Sequence, residues 1–206
     1  MRNYNVFFTS DTHFGHKNLL KIGKGRPFSN IKEHDEALIN NWNSVVKPND
    51  IVFHLGDVSL CYNEKELAEI FKKLNGHKHI LVGNHDRQKL LAYSLNLGLI
   101  QSMRTYHEYK YEGDDGKTYT FIMMHWPILE PNHIFRNKDH NEVSVIGLYG
   151  HIHHANNYDE IYKNLNFPCV HVGVDTSSNV IPTNPYTPIN AEHIIDHCNN
   201  IFFGDK

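Results

Sequence analysis

The stretch DIVFHLGD, residues 50–57, begins as an apolar run and ends in a glycine and a carboxylate. Its short length and its Ile, Val and Phe residues are typical of a buried β-strand rather than a helix. A Gly-Asp pair taken alone is most often a simple turn. The interest of Asp57 therefore depends on whether other strands of the chain end in the same way.

Four further apolar runs also end in residues that can bind metal ions. They are YNVFFTSDTH (4–13), KHILVGNHD (78–86), YTFIMMHW (119–126) and SVIGLYGHIHH (144–154). We predict a strand in each of the five runs. In open α/β sheets the carboxyl ends of the strands form the crevice where ligands bind, so we expect these endings to meet.

Helical patterns separate the first three strands. Asn30 and Asn63, each followed three residues later by Glu, predict helices over 31–47 and 63–76, the second with Gly76 as a left-handed C-terminal cap. A third helix is predicted over 87–98. Strands that alternate with helices predict right-handed crossovers and parallel neighbours, hence an α/β fold.

The second half of the chain has a different pattern. Two β-rich segments flank GDDG (113–116), which predicts a hairpin and antiparallel pairing. The Pro-rich segment 176–190 is interpreted as an extended surface excursion, and a last helix is predicted from about Ala191. We find no internal repeat or linker and predict one domain over residues 1–206.

Composition limits the classes of function. Hydrophobic residues make up 40% of the 206 residues and the net charge is -3, so charge gives no case for a dedicated nucleic-acid or membrane-surface binder. The three scattered cysteines suggest neither a disulfide framework nor a thiolate metal site, and no apolar run reaches about 18 residues. We therefore expect a cytoplasmic protein with no membrane partner.

The residues that follow the strands form a plausible metal-binding set. Its members are Asp11, His13, Asp57, Asn84, His85, His125, His151 and His153. Carboxylates, imidazoles and an amide without any thiolate suit Mn, Fe, Zn, Co or Ni rather than Ca. There are enough ligands for two ions. If both share Asp57, the ions could lie about 3.5–4 Å apart, as in enzymes that catalyse in-line displacement at phosphorus.

These motifs, in this order, resemble those of the calcineurin-like metallophosphoesterases. The set comprises D-x-H at 11–13, G-D at 56–57, G-N-H-D at 83–86, His125, and G-H-x-H at 150–153. One D-x-H is nearly uninformative, but five motifs in order behind predicted strands are highly specific. The resemblance implies a sandwich of two β-sheets flanked by helices, in α/β/β/α layers.

The resemblance also implies a role for each motif residue. One metal ion would be bound by Asp11, His13 and His153, and the other by Asn84, His125 and His151, with Asp57 as the bridge. His85 would face the phosphate and protonate the leaving oxygen, with Asp86 as its orienting partner. A histidine suits this task because its ordinary pKa lies near working pH.

Other residues near the motifs are weaker candidates. His16, Asn18, Arg26 and His154 are candidate substrate contacts, against the alternatives of loop hydrogen bonds or surface ion pairs. His54 and His171 lie within apolar runs, so we interpret them as core histidines. Four aromatic residues could stack on a base, although core packing is the commoner role: Phe14, Tyr62, Trp126 and Tyr149.

The connections after Asp57 and His125 are too short for a large lid domain, which predicts an open cleft. An open cleft with two metal ions, Mn being the best candidate for activity, favours a phosphodiesterase acting on a phosphorylated small molecule or nucleotide. The alternatives are a phosphomonoesterase, including a protein phosphatase, and a nuclease, which the net charge does not favour. A catalytically inactive binding scaffold is the alternative outside enzymes, and a homo-oligomer is compatible with the sequence.

Overall fold

A computed structural model describes residues 3–21, 26–128, 145–153, 168–180 and 185–203. The helices among these residues are α1 (Ile31–Val45), α2 (Glu64–Lys73), α3 (Gln88–Asn96) and α4 (Ala191–Phe203), with short 3-10 helices at Lys17–Lys21 and Ser177–Asn179. The strands are β1 (Val6–Thr9), β2 (Ile51–His54), β3 (His77–Leu81), β4 (Ser102–Arg104), β5 (Tyr106–Glu112), β6 (Thr118–Met124), β7 (Val145–Tyr149), β8 (Cys169–His171) and β9 (Ile189–Asn190). All five predicted strands are present, as β1, β2, β3, β6 and β7.

The strands form two sheets. The first has the order β4-β3-β2-β1-β9, in which β1 to β4 are parallel and β9 is antiparallel to β1. The second has the order β5-β6-β7-β8. The predicted hairpin is β5 and β6, but β6, β7 and β8 run parallel, so the second sheet is mixed rather than antiparallel. The predicted α/β fold of two sheets flanked by helices is confirmed.

Alternating side chains of the first sheet contribute to two cores, because neighbouring residues of a strand face opposite sides. Phe8 and Phe53 pack with Phe121 of β6 in the core between the sheets, which α4 joins through Ile194. The next residues along the strands, such as Phe7, face α1, α2 and α3. Because both faces of this sheet are covered, its central strands β1 and β2 carry apolar residues on both faces.

The helices begin where the sequence predicts. The Asn30 side chain accepts a hydrogen bond from the Glu33 N–H, and the Asn63 side chain accepts from the Lys65 and Glu66 N–H groups. The ends differ slightly. α1 stops at Val45, and α2 stops at Lys73, three residues before Gly76.

Gly76 therefore serves the turn into β3 rather than a helix cap. Its φ is +84°, and a Cβ there would lie 2.9 Å from the Asp50 carbonyl oxygen. Gly98 does follow α3 as predicted, with φ +69° and a Leu99 N–H bond to the Ser94 carbonyl. The Pro-rich segment 176–190 is more than a surface excursion. Its buried Ile189 lies in β9 and pairs with Phe8 of β1. None of the described helices is long and apolar enough to cross a membrane.

Candidate metal centre

Backbone strain is concentrated at the predicted metal ligands. Five of them have positive φ values: Asp11 (58°), His13 (51°), Asp57 (55°), His151 (74°) and His153 (47°). Among the other described non-glycine residues, only Tyr186 shares this conformation. Each such residue costs of order 1–3 kcal/mol, and such strain clusters at functional sites. The loops that follow β1, β2 and β7 are therefore shaped to present side chains rather than to connect elements at lowest energy.

Glycines of the motifs make room for carboxylates of other motifs. A Cβ on Gly83 would lie 2.3 Å from Asp57 Oδ1. A Cβ on Gly150 would lie 2.0 Å from Ser10 Oγ and 2.5 Å from Asp11 Oδ2. These separations are far below van der Waals contact, so the two glycines are required for close approach of the strand ends.

The first donor set, which we define as Asp11, His13 and His153, is assembled at the end of the first sheet. His13 Nε2 lies 3.2 Å from His153 Nε2, and His153 Nε2 lies 4.0 Å from Asp11 Oδ1. One ligand atom from each residue lies within 4.8 Å of the others. Asp11 and His13 are buried, whereas the His153 side chain is 31% exposed. These three side chains can hold one ion.

The second donor set, defined as Asn84, His125 and His151, lies beside the first. Asn84 Oδ1 is 2.9 Å from both His125 Nε2 and His151 Nδ1. His125 is buried and its Nδ1 donates to the Leu55 carbonyl at 2.7 Å, which leaves the Nε2 lone pair facing the set. Asn84, by contrast, is exposed.

Asp57 lies between the two donor sets. Its Oδ2 is 3.6 Å from His13 Nε2 of the first set and 3.4 Å from His125 Nε2 of the second. Its Oδ1 accepts a hydrogen bond from the His85 backbone N–H at 2.8 Å. The geometry thus places one carboxylate oxygen within reach of both sets.

The electrostatics of the centre fit cations. Burial raises the pKa of Asp11 to about 6, even though His153 and His125 act in the opposite direction. The nearest guanidinium, Arg26, donates to the Asp11 backbone carbonyl rather than to its carboxylate. For His125, burial lowers the pKa, but the hydrogen bond to Asp57 and the charges of Asp11 and Asp57 outweigh it and the pKa is raised. Among the described side chains, the ion-pair partners of Asp11 and Asp57 are histidines rather than lysine or arginine. Clustered carboxylates and imidazoles of this kind are the ligands that divalent transition-metal ions prefer.

His85 and His16 lie beside the first donor set. The ring centroids of His85 and His16 are 5.5 and 5.3 Å from that of His13, and 6.4 Å from each other. His85 is exposed and lies outside both donor sets, while His16 is half-buried. This placement is compatible with the predicted contacts to substrate, which stay predictions. Asn18 lies in the exposed 3-10 helix nearby, and His154 lies outside the described residues.

Asp86 has a different role from the one expected. Its Oδ2 accepts from the Gly83 and Asp57 N–H groups at 2.8 and 2.9 Å, and its Oδ1 accepts from the Val58 N–H at 2.8 Å. With both oxygens bound to backbone, the carboxylate joins the β2 and β3 loops instead of orienting the His85 ring. Asp86 therefore acts through the position of Asp57.

Arg26 is also corrected by the structure. Only 5% of the residue is exposed, and its guanidinium donates to both Asp175 oxygens at 2.7 and 2.8 Å. Its other N–H groups bind the Asp11 and Thr12 carbonyls and His34 Nε2. Every donor has a protein acceptor, so this arginine is unavailable for a phosphate.

The aromatic candidates separate by exposure. Phe14 and Tyr149 are buried and pack in the cores, whereas Tyr62 and Trp126 are 75% and 39% exposed. The core interpretation of His54 is confirmed, since it is buried with Nε2 2.8 Å from Thr12 Oγ1. His171 is closer to the centre than expected, with Nε2 3.9 Å from Asp11 Oδ2.

Sequence reasoning missed the residues that hold the first donor set in place through hydrogen bonds. Asp175, which follows β8, binds His153 Nδ1 at 2.6 Å, and His34 in α1 binds Arg26. A carboxylate partner for a metal-binding histidine is a general expectation. The signal that could have suggested Asp175 is its place just after an apolar run, HVGVD (171–175), as for the other ligands.

Comparison with known proteins agrees with this geometry. The family model described as a calcineurin-like phosphoesterase superfamily domain matches residues 5–170, which is most of the chain. The chain belongs to this superfamily. Calcineurin-like phosphoesterases are metal-dependent hydrolases, and two groups of side chains here could hold a metal ion: Asp11, His13 and His153, and Asp11, Asp57 and His125.

Individual relatives of this chain have no activity given in their names. An uncharacterized protein of Methanocaldococcus jannaschii is 46% identical over 83 residues, which is 40% of this chain and 47% of that protein. The chain thus spans about half the length of that relative. The gene 66 protein of Mycobacterium phage D29 is 27% identical over 86% of this chain and 92% of that protein.

A solved structure shares the fold over nearly the whole chain. It is the crystal structure of a protein of unknown function from Aquifex aeolicus, with a TM-score of 0.67 and 25% identity. The similarity covers 95% of this chain and 100% of that one.

Proposed function

We propose that the chain binds two divalent cations, with Mn²⁺ the best candidate for activity, and hydrolyses phosphodiesters. The observation that carries this proposal is the position of Asp57 Oδ2, within 3.6 Å of His13 Nε2 and 3.4 Å of His125 Nε2. Bound cations of this kind neutralise charge on phosphoryl oxygens and lower the pKa of water.

The protein's own part in this reaction falls to the two donor sets and His85. The donor sets hold their atoms in place through strained loops, and Asp57 is positioned by the N–H of His85 and by the loop that Asp86 fixes. His85, exposed beside His13, is the group that donates a proton to the leaving oxygen of the ester. His16 is a further candidate contact to the phosphate.

The position of Arg26 favours a diester over a monoester. A phosphate monoester carries about -1.5 to -2 charge at pH 7, whereas a diester carries a single negative charge. Arg26, which the sequence offered as one candidate phosphate contact, is buried and fully engaged with Asp175, His34 and backbone carbonyls. Without it, the substrate with the smaller charge is the better match. The predicted open cleft also depends on the connection between His125 and Gly150, of which residues 129–144 lie outside the described residues.

The test compares bis-p-nitrophenyl phosphate with p-nitrophenyl phosphate, using metal-free protein and protein loaded with Mn²⁺. We expect two bound ions per chain by elemental analysis and a higher kcat/KM for the diester. Faster monoester hydrolysis would point to a phosphomonoesterase, and cleavage of single-stranded DNA or RNA alone would point to a nuclease. Two bound ions without hydrolysis of any ester would indicate a binding scaffold.

A further inference from the structure

Asp175 holds the ring of His153 in a defined state. Asp175 Oδ2 is 2.6 Å from His153 Nδ1, and the Asp175 side chain is only 3% exposed. Because a carboxylate only accepts hydrogen bonds, the proton of this bond resides on Nδ1. His153 therefore presents its Nε2, which lies 3.2 Å from His13 Nε2, to the first donor set.

Asp175 is itself held by Arg26. The guanidinium donates from Nε to Asp175 Oδ1 at 2.7 Å and from Nη2 to Oδ2 at 2.8 Å, a bidentate pair buried on both sides. The other donors of Arg26 bind the Asp11 and Thr12 carbonyls. The same guanidinium thus fixes both Asp175 and the backbone that carries Asp11.

The chain of contacts continues into α1. Arg26 Nη1 donates to His34 Nε2 at 2.8 Å, so His34 carries its proton on Nδ1 and donates to Asp35 Oδ1 at 2.7 Å. Asp35 in turn accepts from the Gly15 N–H at 3.0 Å. We call these four side chains, Asp35, His34, Arg26 and Asp175, the buried relay.

The relay is not explained by stability alone. Taking an aspartate and an arginine out of water costs several kcal/mol per ion, and apolar replacements of buried pairs are often neutral or stabilising. The other imidazoles show that a carboxylate partner is not required for folding. His125 donates to the Leu55 carbonyl, and His13 Nδ1 has no partner among the described atoms.

We propose that Asp175 is a positioning residue for the metal ion of the first donor set, and that the buried relay holds it in place. Asp175 fixes the tautomer and the ring orientation of His153, while Arg26 and His34 prevent its carboxylate from turning away. This inference rests on the proposed metal binding. Loss of such an outer partner typically costs about 10–100-fold in metal affinity.

The test is a Mn²⁺ titration, followed by isothermal calorimetry and elemental analysis, on wild type and five variants. Asp175→Asn keeps the shape and removes the charge, and it should weaken the first ion about 10–100-fold while the second keeps its affinity. To assign the ions, the same change is made in an Asn84→Ala background, which removes a donor of the second set. There, Asp175→Asn should weaken the one remaining ion by the same factor.

A matched control is Asp50→Asn. Asp50 is 2% exposed and its oxygens accept from the Asn5 and Lys47 N–H groups at 2.7 Å, remote from both donor sets in its contacts. This variant should lose stability but bind both ions as wild type does. Co²⁺ loading gives a second readout, because the visible absorption of the first ion should change in Asp175→Asn and not in Asp50→Asn.

Arg26→Lys is a second variant of the buried relay, for the case that Asp175→Asn does not fold. This variant keeps the positive charge but cannot form the bidentate pair with the Asp175 carboxylate. The first ion should therefore bind more weakly than in wild type. Unchanged affinity of the first ion in either folded variant would overturn the inference. If wild type binds two ions and the variants bind the first ion equally well, the inference about Asp175 is wrong but the proposed function is not. If wild type binds no ion, both the inference and the proposed function are wrong.

Discussion

The two donor sets are supported in different ways. The first set, Asp11, His13 and His153, has a carboxylate of its own and is backed by the buried relay. The second set contributes the neutral amide of Asn84 and two histidines, and Asn84 is exposed.

If both sets bind ions as proposed, the difference would give one fold a more buried and a more exposed ion site built from similar side chains. A buried carboxylate with a fixed histidine favours tight binding, because charge and orientation are provided before the ion arrives. An exposed amide favours access by solvent and substrate. Asp57 lies between the two sets, and Asp11 of the first set also lies within 4.8 Å of Asp57 and His125 and accepts from the His151 N–H of the second set.

The largest effect is expected for Asp57→Asn, which removes the charge that both sets share while keeping the size of the side chain. Loss of one outer partner costs about 10–100-fold in affinity, so loss of a shared direct ligand should cost more at both ions. Elemental analysis should find fewer than two ions per chain, and hydrolysis should be abolished with the circular dichroism spectrum unchanged. Full loading with near-normal turnover would show that the sets are independent.

A smaller effect is expected for His85→Ala, because His85 lies outside both donor sets. The variant should keep two ions and lose about 10²–10⁴-fold in kcat, the usual contribution of a positioned acid. The loss should shrink for a nitrophenyl ester, whose leaving oxygen needs little protonation, and stay large for an alkyl ester. Equal losses on both esters would assign His85 to charge stabilisation, and loss of an ion would make it a ligand.

The sequence predicted that these side chains lie together, because each candidate ligand follows a strand and the ends of parallel strands meet. Their role as metal ligands stays a prediction. The roles of Arg26 and Asp86 could not be predicted in this way. The acceptor of the Arg26 fork, Asp175, lies 149 residues away along the chain, and no local pattern links the two. Asp86 follows His85 directly, yet its carboxylate turns to the N–H groups of Asp57 and Val58.

The fold shows the same limit. Strands β1, β2, β3, β6 and β7 are four or more residues long and lie within apolar runs of the sequence, which a pattern search can detect. The strands β4, β8 and β9 have two or three residues and exist because a neighbouring strand is present to pair with them. Tertiary context therefore decided what local sequence could not.

A smaller effect is expected for His54, which contacts Thr12 between Asp11 and His13 of the first donor set. Burial lowers the pKa of His54 to about 3, against an ordinary value of 6.5. Between these values the unfolded chain binds more protons, so stability is lost as the pH falls. His54 should contribute about 2 kcal/mol to the loss between pH 7 and pH 5.

The measurement is urea denaturation of metal-free protein at both pH values. His54→Gln keeps a donor for Thr12 Oγ1 and should show a loss about 2 kcal/mol smaller than that of wild type. His77→Gln, at the exposed start of β3, is the control and should behave as wild type does. Equal pH dependence in His54→Gln and wild type would mean that His54 takes up its proton in the folded state as readily as in the unfolded chain.

The smallest expected effect is the difference in affinity between the two ions of the wild type. The first set has Asp11 in addition to the shared Asp57, and Asp175 fixes His153, whereas the second set has no carboxylate of its own. We therefore expect the first ion to bind at least about tenfold more tightly, at the lower end of what outer partners contribute.

Stepwise removal of Mn²⁺ by a chelator, followed by elemental analysis, should show one ion leaving before the other. Because Asn84→Ala weakens only the second set, it should increase the difference in affinity between the two ions. Asp175→Asn weakens the first set and should decrease that difference. Simultaneous release in all three proteins would mean that the shared carboxylate, and not the difference in support, controls both ions.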